Sequence, residues 1–305
     1  MYVVTGATGH TGSVVAKRLL AQGKKVRVVG RSAERLSPLV SLDAEPFAAD
    51  ISNKEAVTSA FSGAEAAYVM IPPDLANPDY AAYQDRVIEA VAAALDKGAL
   101  ARVVVLSSFG ADKPDKTGPI AGLHRMEERL KQISGLNALY VRAGYFMENT
   151  LPQAGVIRQM GVVAGPLEPD LKVPMIATRD IGTFATDELL RLEFQGHEAQ
   201  ELLGERDLTM TEVTNVIGKA IGKLDLQYHQ ITYDQFRGVL MQMGASQSIA
   251  DMFVEMSEAL NSGRVRALEA RSQRNTTPTS YEQFVADEFV PAYQAGSAGV
   301  ASARA

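Results

Sequence analysis

The chain has 305 residues, 46% of them hydrophobic and 22% charged, with a formal net charge of −6. That length accommodates a doubly wound domain with an appended lobe and a sizeable core. The acidic balance argues against a general nucleic-acid-binding surface, and the absence of cysteine excludes disulfides, thiolate metal sites and a cysteine nucleophile.

Tyr2-Val3-Val4-Thr5 reads as a strand, and it runs through Gly6-Ala7-Thr8-Gly9-His10-Thr11-Gly12 into a helical stretch from Ser13 to Gln22. Three glycines spaced three apart between strand and helix suit a phosphate-binding turn. Gly6 lets the chain reverse, Gly9 removes a side chain where a pyrophosphate approaches, and Gly12 lets the helix pack close to the sheet. Amides at the helix start carry partial positive charge. Gly6, Thr8, Gly9, His10, Thr11 and Gly12 therefore form the expected dinucleotide cradle, although the spacing differs from the tighter Gly-x-Gly-x-x-Gly fingerprint. Because the chain opens on this strand and loop, no secretory signal is expected, and the expected location is cytoplasmic.

The second strand, Lys25 to Gly30, ends at Arg31, with Arg35 one turn on. An acid at that point accepts from a ribose 2′-OH, whereas a base accommodates a 2′-phosphate. Arginine's planar fork suits phosphate, so NADP(H) is expected over NAD(H). Pro46 to Asp50 reads as a third strand, and Asn53 as the cap of a helix through Phe61. Ala66 to Ile71 is a buried fourth strand halted by Pro72-Pro73. Asp79 to Lys97 is a long alanine-rich helix closed by Gly98, which either covers the sheet or packs on a second subunit. Arg102 to Ser107 makes a fifth strand, a helix follows from Pro119 to about Ile133, and Ala138 to Arg142 makes a sixth strand. Alternation of this kind predicts an α/β fold, a Rossmann-type doubly wound parallel sheet.

Beyond Gly144 the rhythm changes. A dinucleotide-binding domain over 1–149 and a smaller, mainly helical substrate lobe over 150–305 are expected, with a late strand near 200–204 returning to the sheet. Helices are predicted over Thr211–Ile221, Thr232–Met243 and Gln247–Asn261. Methionines are frequent between Met210 and Met256, as core or as an apolar surface that adapts to a flat ligand. The tail 296–305 reads as frayed. No apolar run is long enough to span a bilayer, and the four scattered histidines offer no metal-ligand spacing.

With these pieces in place, the chain resembles the NmrA-like family of atypical short-chain dehydrogenases/reductases. The likeness is carried by the glycine loop, Arg31, Ile71-Pro72-Pro73, Leu106-Ser107-Ser108-Phe109-Gly110-Ala111, His124 followed by Glu127 or Glu128, Arg142-Ala143-Gly144-Tyr145-Phe146-Met147-Glu148-Asn149, and Arg179-Asp180-Ile181-Gly182. The resemblance implies Asp50 and Ile51 near the adenine, Ile71 and Pro72 along the ribose, and Ser107 near the nicotinamide. It also implies Tyr145 to Asn149 at the cofactor–substrate boundary. Asp50 has a second reading as a helix cap, and Tyr145 as packing.

The wider superfamily uses Tyr-x-x-x-Lys to deliver a proton to a carbonyl oxygen. Here the corresponding helix places Ile120 at the tyrosine position and His124 at the lysine position. Isoleucine cannot transfer a proton. Two routes remain open. In one, hydride from NADPH reaches a quinone-like or other conjugated acceptor, with His124, Ser108 or Tyr145 as the candidate catalytic groups. In the other, the chain is a non-catalytic NAD(P)H sensor acting through a partner protein. A homodimer is compatible with either route.

Overall fold

The computed structural model describes residues 1–97 and 100–295. Gly98, expected to close the long helix, and the 296–305 tail lie outside the described residues. Strand and helix alternate as β1 (Tyr2–Thr5), α1 (His10–Ala21), β2 (Val26–Gly30), α2 (Ala33–Val40), β3 (Glu45–Ala48), α3 (Lys54–Phe61), β4 (Ala66–Val69), α4 (Tyr80–Lys97), β5 (Arg102–Ser108), α5 (Ile120–Leu130) and β6 (Asn137–Ala143). There follow β7 (Tyr145–Phe146), α6 (Gln153–Met160), β8 (Val163–Gly165), β9 (Val173–Ile176), α7 (Thr178–Arg191), β10 (His197–Leu202), β11 (Asp207–Leu208), α8 (Met210–Ala220), β12 (Tyr228–Gln230), α9 (Tyr233–Gln242), α10 (Gln247–Asn261) and α11 (Tyr281–Phe284).

Seven strands form one sheet in the order β10-β6-β5-β4-β1-β2-β3, and every pairing within it is parallel. This is the Rossmann-type architecture that the alternation of elements predicts. Side chains alternate across a strand, so the sheet feeds two cores. Val4, Val28, Tyr68, Val104 and Val141 pack on one face with Val15, Leu36 and Ile181 from α1, α2 and α7. Val3, Val29, Val69, Val105 and Tyr140 pack on the other with Val57, Val87 and Met126 from α3, α4 and α5. Burial on both faces explains why these strands read as nearly continuous apolar runs. Strand order reverses between β1 and β4, and a crevice opens there beyond the carboxyl ends of the strands.

Several boundaries differ from those the sequence suggests, each for a local reason. Helix α1 starts at His10 rather than Ser13 because Gly9, in extended conformation, takes the capping position. The last three loop residues thereby become the first helical turn. Helix α2 was not anticipated, although Ser32 caps it by accepting from Arg35 N at 3.3 Å. Strand β3 ends at Ala48 because Asp50 turns the chain, accepting from Ser52 N and Ser52 Oγ at 2.8 Å. The cap of α3 is Asn53, which accepts from Ala56 N at 2.9 Å, so the capping alternative for Asp50 falls away. The late strand begins at His197, four residues before Glu201, and pairs along β6 to form the sheet edge.

Two small sheets punctuate the second part of the chain: β7 and β11 flank β9, and β8 pairs with β12. A third core gathers there from Met147, Ile157, Met175, Ile217, Tyr281 and Phe284. The Arg179–Gly182 motif joins these regions. A Cβ on Gly182 would lie 2.6 Å from Val14 Cβ, so its glycine allows α7 to press against α1. Asp180 accepts from the amide and hydroxyl of Thr279 at 3.0 and 2.7 Å, which fastens the C-terminal segment. Among the described residues no helix is long and apolar enough to cross a membrane.

Candidate functional site

The glycine loop occupies the crevice between β1 and β4. Gly6 has φ +59°, a left-handed conformation that favours glycine, and a Cβ there would meet Met70 Sδ at 2.6 Å. A Cβ on Gly12 would lie 2.4 Å from the Gly6 carbonyl oxygen and 3.0 Å from that of Thr5, so only glycine lets α1 rest on the strand end. Gly9 is different, because its φ is ordinary and a Cβ would meet only Gly6 O, at 3.3 Å. Its bare Cα faces outward. No side chain caps α1, and no acid stands in its first turn, so the amides at His10, Thr11 and Gly12 are left for an anion. This cradle fits a dinucleotide diphosphate. Thr11 contributes through its main chain, since its hydroxyl oxygen accepts from Tyr68 Oη at 2.8 Å and lies buried. Thr8 is half-buried and His10 exposed.

Arg31 follows β2 at the same edge of the crevice. It is exposed and has no ion-pair or hydrogen-bond partner among the described residues. Asp50 and Arg31 both act on the Tyr83 phenol. Burial pushes that phenol up to about 12, with Asp50 and Asp74 adding to the shift and Arg31 opposing it. Ile51 is 5% exposed and belongs to the α3–α4 core. Pro72 turns its carbonyl oxygen to the Tyr83 hydroxyl at 3.1 Å, and Ile71 and Pro73 reach the neighbouring cavity instead.

That cavity, about 250 Å³ in volume, opens beyond the carboxyl ends of β4, β5 and β6. Met70, Ile71, Ser107 and Ser108 come to it from the strand ends, Ile120 and Leu123 from α5, and Tyr145, Phe146 and Asn149 from the segment after β6. Phe253, Met256 and Leu260 close it from α10. Helix α10 also presses on the loop that leads into α5, where Gly118 adopts φ +59° and a Cβ would fall 2.0 Å from Met252 O. The methionines between Met210 and Met256 divide: Met256 lines the cavity, Met210 is core, and Met241 and Met243 are exposed.

Polar groups in this apolar space are few. Burial pushes the Tyr145 phenol up to about 12, while a hydrogen bond with Asn149 pulls it down, so at neutral pH the hydroxyl keeps its proton. Ser108 donates to the Phe109 carbonyl oxygen at 3.0 Å. Ser107 donates to Glu127 Oε1 at 2.7 Å, and Glu127 is held in a fork by Arg142 at 3.0 and 2.6 Å. His124 is not among the cavity-lining residues. Its Nδ1 lies 2.9 Å from Ala111 O, and because a carbonyl only accepts, the proton sits on Nδ1. In the neutral ring Nε2 then has none to give.

The sequence pattern that defines the NmrA-like family matches residues 2–285. The chain belongs to the NmrA-like family. Among its relatives, a (4-alkanoyl-5-oxo-2,5-dihydrofuran-3-yl)methyl phosphate reductase of Streptomyces griseus is 31% identical over 86% of this chain and 88% of its own. An NAD(P)H azoreductase of Xenophilus azovorans is 28% identical over 84% of this chain and 86% of its own. In fold, the Escherichia coli NADPH-dependent quinone oxidoreductase, solved with NADPH, superposes with a TM-score of 0.71 at 23% identity, covering 88% of this chain and 91% of its own. The Citrobacter triphenylmethane reductase complexed with NADP(H) gives 0.78 at 15% identity, covering 93% and 99%.

In this NmrA-like protein the Tyr145–Asn149 block divides its labour. Tyr145, Phe146 and Asn149 face the cavity, Met147 is core, and Glu148 caps α7 by accepting from the Thr178 amide and hydroxyl at 2.8 and 2.6 Å. Sequence reasoning missed the Glu127–Arg142 pair. The signal was an arginine closing the apolar strand run Ala138-Leu139-Tyr140-Val141, since a charge in a doubly buried strand demands a partner.

Proposed function

We infer that this NmrA-like protein is an NADPH-dependent reductase acting on quinone-like or other conjugated acceptors. The observation that carries this reading is the apolar cavity beside the glycine cradle, in which Tyr145 and Asn149 are among the few polar groups. Reductase relatives over most of the chain support it. Bound NADPH supplies a hydride. The residues of the chain do the rest: the loop amides hold the diphosphate, Arg31 pairs with the 2′-phosphate, and α10 excludes water from the acceptor. Tyr145 supplies the proton, because it lines the cavity and its hydroxyl is protonated. Tyr145 thus takes the place that Ile120 leaves vacant on α5, and His124, whose Nδ1 lies 2.9 Å from Ala111 O, is relegated to orienting the Ala111 loop.

The test is NADPH absorbance followed with a panel of quinones, azo dyes, aldehydes and ketones. Turnover with conjugated acceptors is the expected result. Cofactor binding with silence across the panel overturns the enzyme reading in favour of a sensor acting through a partner protein. Two variants sharpen it. Arg31→Ala should weaken NADPH binding by about tenfold to a hundredfold while leaving NADH unchanged, as befits loss of a charge-assisted phosphate contact. Equal losses for the two cofactors would remove Arg31 as the discriminator. Tyr145→Phe should lower kcat by about a hundredfold to a thousandfold with little change in KM, and an unchanged kcat would pass the proton to solvent.

A further inference from the structure

The cavity beside the glycine cradle has no charged side chain in its lining. Ser107, Ser108, Tyr145 and Asn149 bring polar groups to it, but the two serines have no proton to offer. Ser107 Oγ donates to Glu127 Oε1 at 2.7 Å, and Ser108 Oγ donates to the Phe109 carbonyl oxygen at 3.0 Å. A hydroxyl has one proton, so Tyr145 and Asn149 are left as the side-chain donors of the lining. Arg142, two residues before the lining residue Gly144, is engaged as well, because it grips both oxygens of buried Glu127.

Helix α10 closes the cavity with Phe253, Met256 and Leu260, and it is tied down at its start and along its middle. Ser246, its cap, holds the segment between β4 and α4, its amide donating to Leu75 O at 2.8 Å and its hydroxyl to Asn77 O at 2.5 Å. Ser248 Oγ accepts from Tyr80 N at 3.1 Å. Farther along, Met252 O comes so near Gly118 that a Cβ there would lie 2.0 Å away, and Glu255 accepts from the Gly118 amide at 3.2 Å. The charged group that this clamp brings to the wall is thus a carboxylate. A helix held at these points has little room to draw back and admit the hydration shell of an ion.

We infer that the cavity selects uncharged acceptors and excludes those that carry an anionic group on the reacting ring. The inference rests on the reductase reading given above and narrows it to a substrate class. A neutral carbonyl needs one or two donors, which Tyr145 and Asn149 supply. A sulfonate, carboxylate or phosphate on the same ring needs a cation or several donors, and without them the cost of stripping its water is not offset.

Two quinones given to the full chain with NADPH test this: menadione, whose reacting ring carries a methyl group, and the naphthoquinone with a sulfonate at the same carbon. Either one takes a hydride from NADPH and one proton to become the hydroquinone, leaving NADP+. The sulfonate withdraws electrons where the methyl donates them, so intrinsic reactivity favours the sulfonate. The wild type should nonetheless show a kcat/KM for menadione higher by about a hundredfold or more, the scale expected when a charge is buried without a partner. Met256→Lys should raise kcat/KM for the sulfonate by about tenfold and not for menadione, because an ammonium supplies the missing partner. The longer side chain relieves no crowding, so that gain marks charge rather than bulk. Comparable kcat/KM for the two quinones in the wild type overturns the inference. So does a menadione preference that Met256→Lys leaves untouched while its circular dichroism matches the wild type. If that variant does not fold, the wild-type ratio alone decides. Turnover of neither quinone sinks the reductase reading instead.

Discussion

Gly12→Ala should cost NADPH affinity by about a hundredfold or more and lower thermal stability as well. The added methyl would lie 2.4 Å from the Gly6 carbonyl oxygen, 2.8 Å from its carbon and 3.0 Å from Thr5 O, all of them backbone atoms with no rotamer to move. Either α1 lifts from the strand or the loop shifts. Overpacking of that kind costs about 1–3 kcal/mol of stability. Displaced amides lose hydrogen bonds to a charged diphosphate worth roughly 1.5–3 kcal/mol each, which sets the size of the binding loss. Gly9→Ala is the control. Its methyl would meet only Gly6 O at 3.3 Å and would stand on an exposed surface where the diphosphate approaches. Binding should therefore fall with little change in Tm. Calorimetric titration and thermal melts of the two variants check the pair, and full NADPH affinity in Gly9→Ala would show that the anion does not sit over that Cα.

The second large effect concerns the ion pair beneath Ser107. Arg142→Met leaves the Glu127 carboxylate buried without its partner, a change that typically costs about 3–5 kcal/mol. For a chain of this size that corresponds to a Tm lower by roughly 10 °C. Replacing both partners, as Glu127→Met/Arg142→Met, removes the desolvation cost together with the attraction, and should restore most of the loss. The comparison of single and double variants is what matters. If the double variant melts no higher than Arg142→Met, the Ser107 hydroxyl that donates to Glu127 Oε1 at 2.7 Å carries part of the loss, since the double variant leaves it without that partner.

The candidate site was unevenly legible. The glycine loop stood out because its whole function is local: seven consecutive residues reverse a strand, start a helix and leave amides uncapped. The place of Arg31 was readable for the same reason, since it lies one residue beyond β2. For His124 the superfamily pattern locates a position on α5 and says nothing of the Ala111 carbonyl that its Nδ1 meets. The Tyr145–Asn149 block was recognisable as a unit, yet its five residues turned out to serve three different ends.

The sequence by itself determined the alternation of strand and helix, the parallel sheet, the glycine loop and the helices around 210–261, because periodicity, caps and glycine conformations act between residues close along the chain. Only the tertiary structure decided that Ser107, Glu127 and Arg142 meet, that α10 closes the cavity, and that Thr279 fastens Asp180. Those contacts join segments whose separation along the chain carries no spacing rule. Their geometry depends on how whole helices pack across the sheet, and on the need of each buried charge or hydroxyl to find a partner wherever packing brings one.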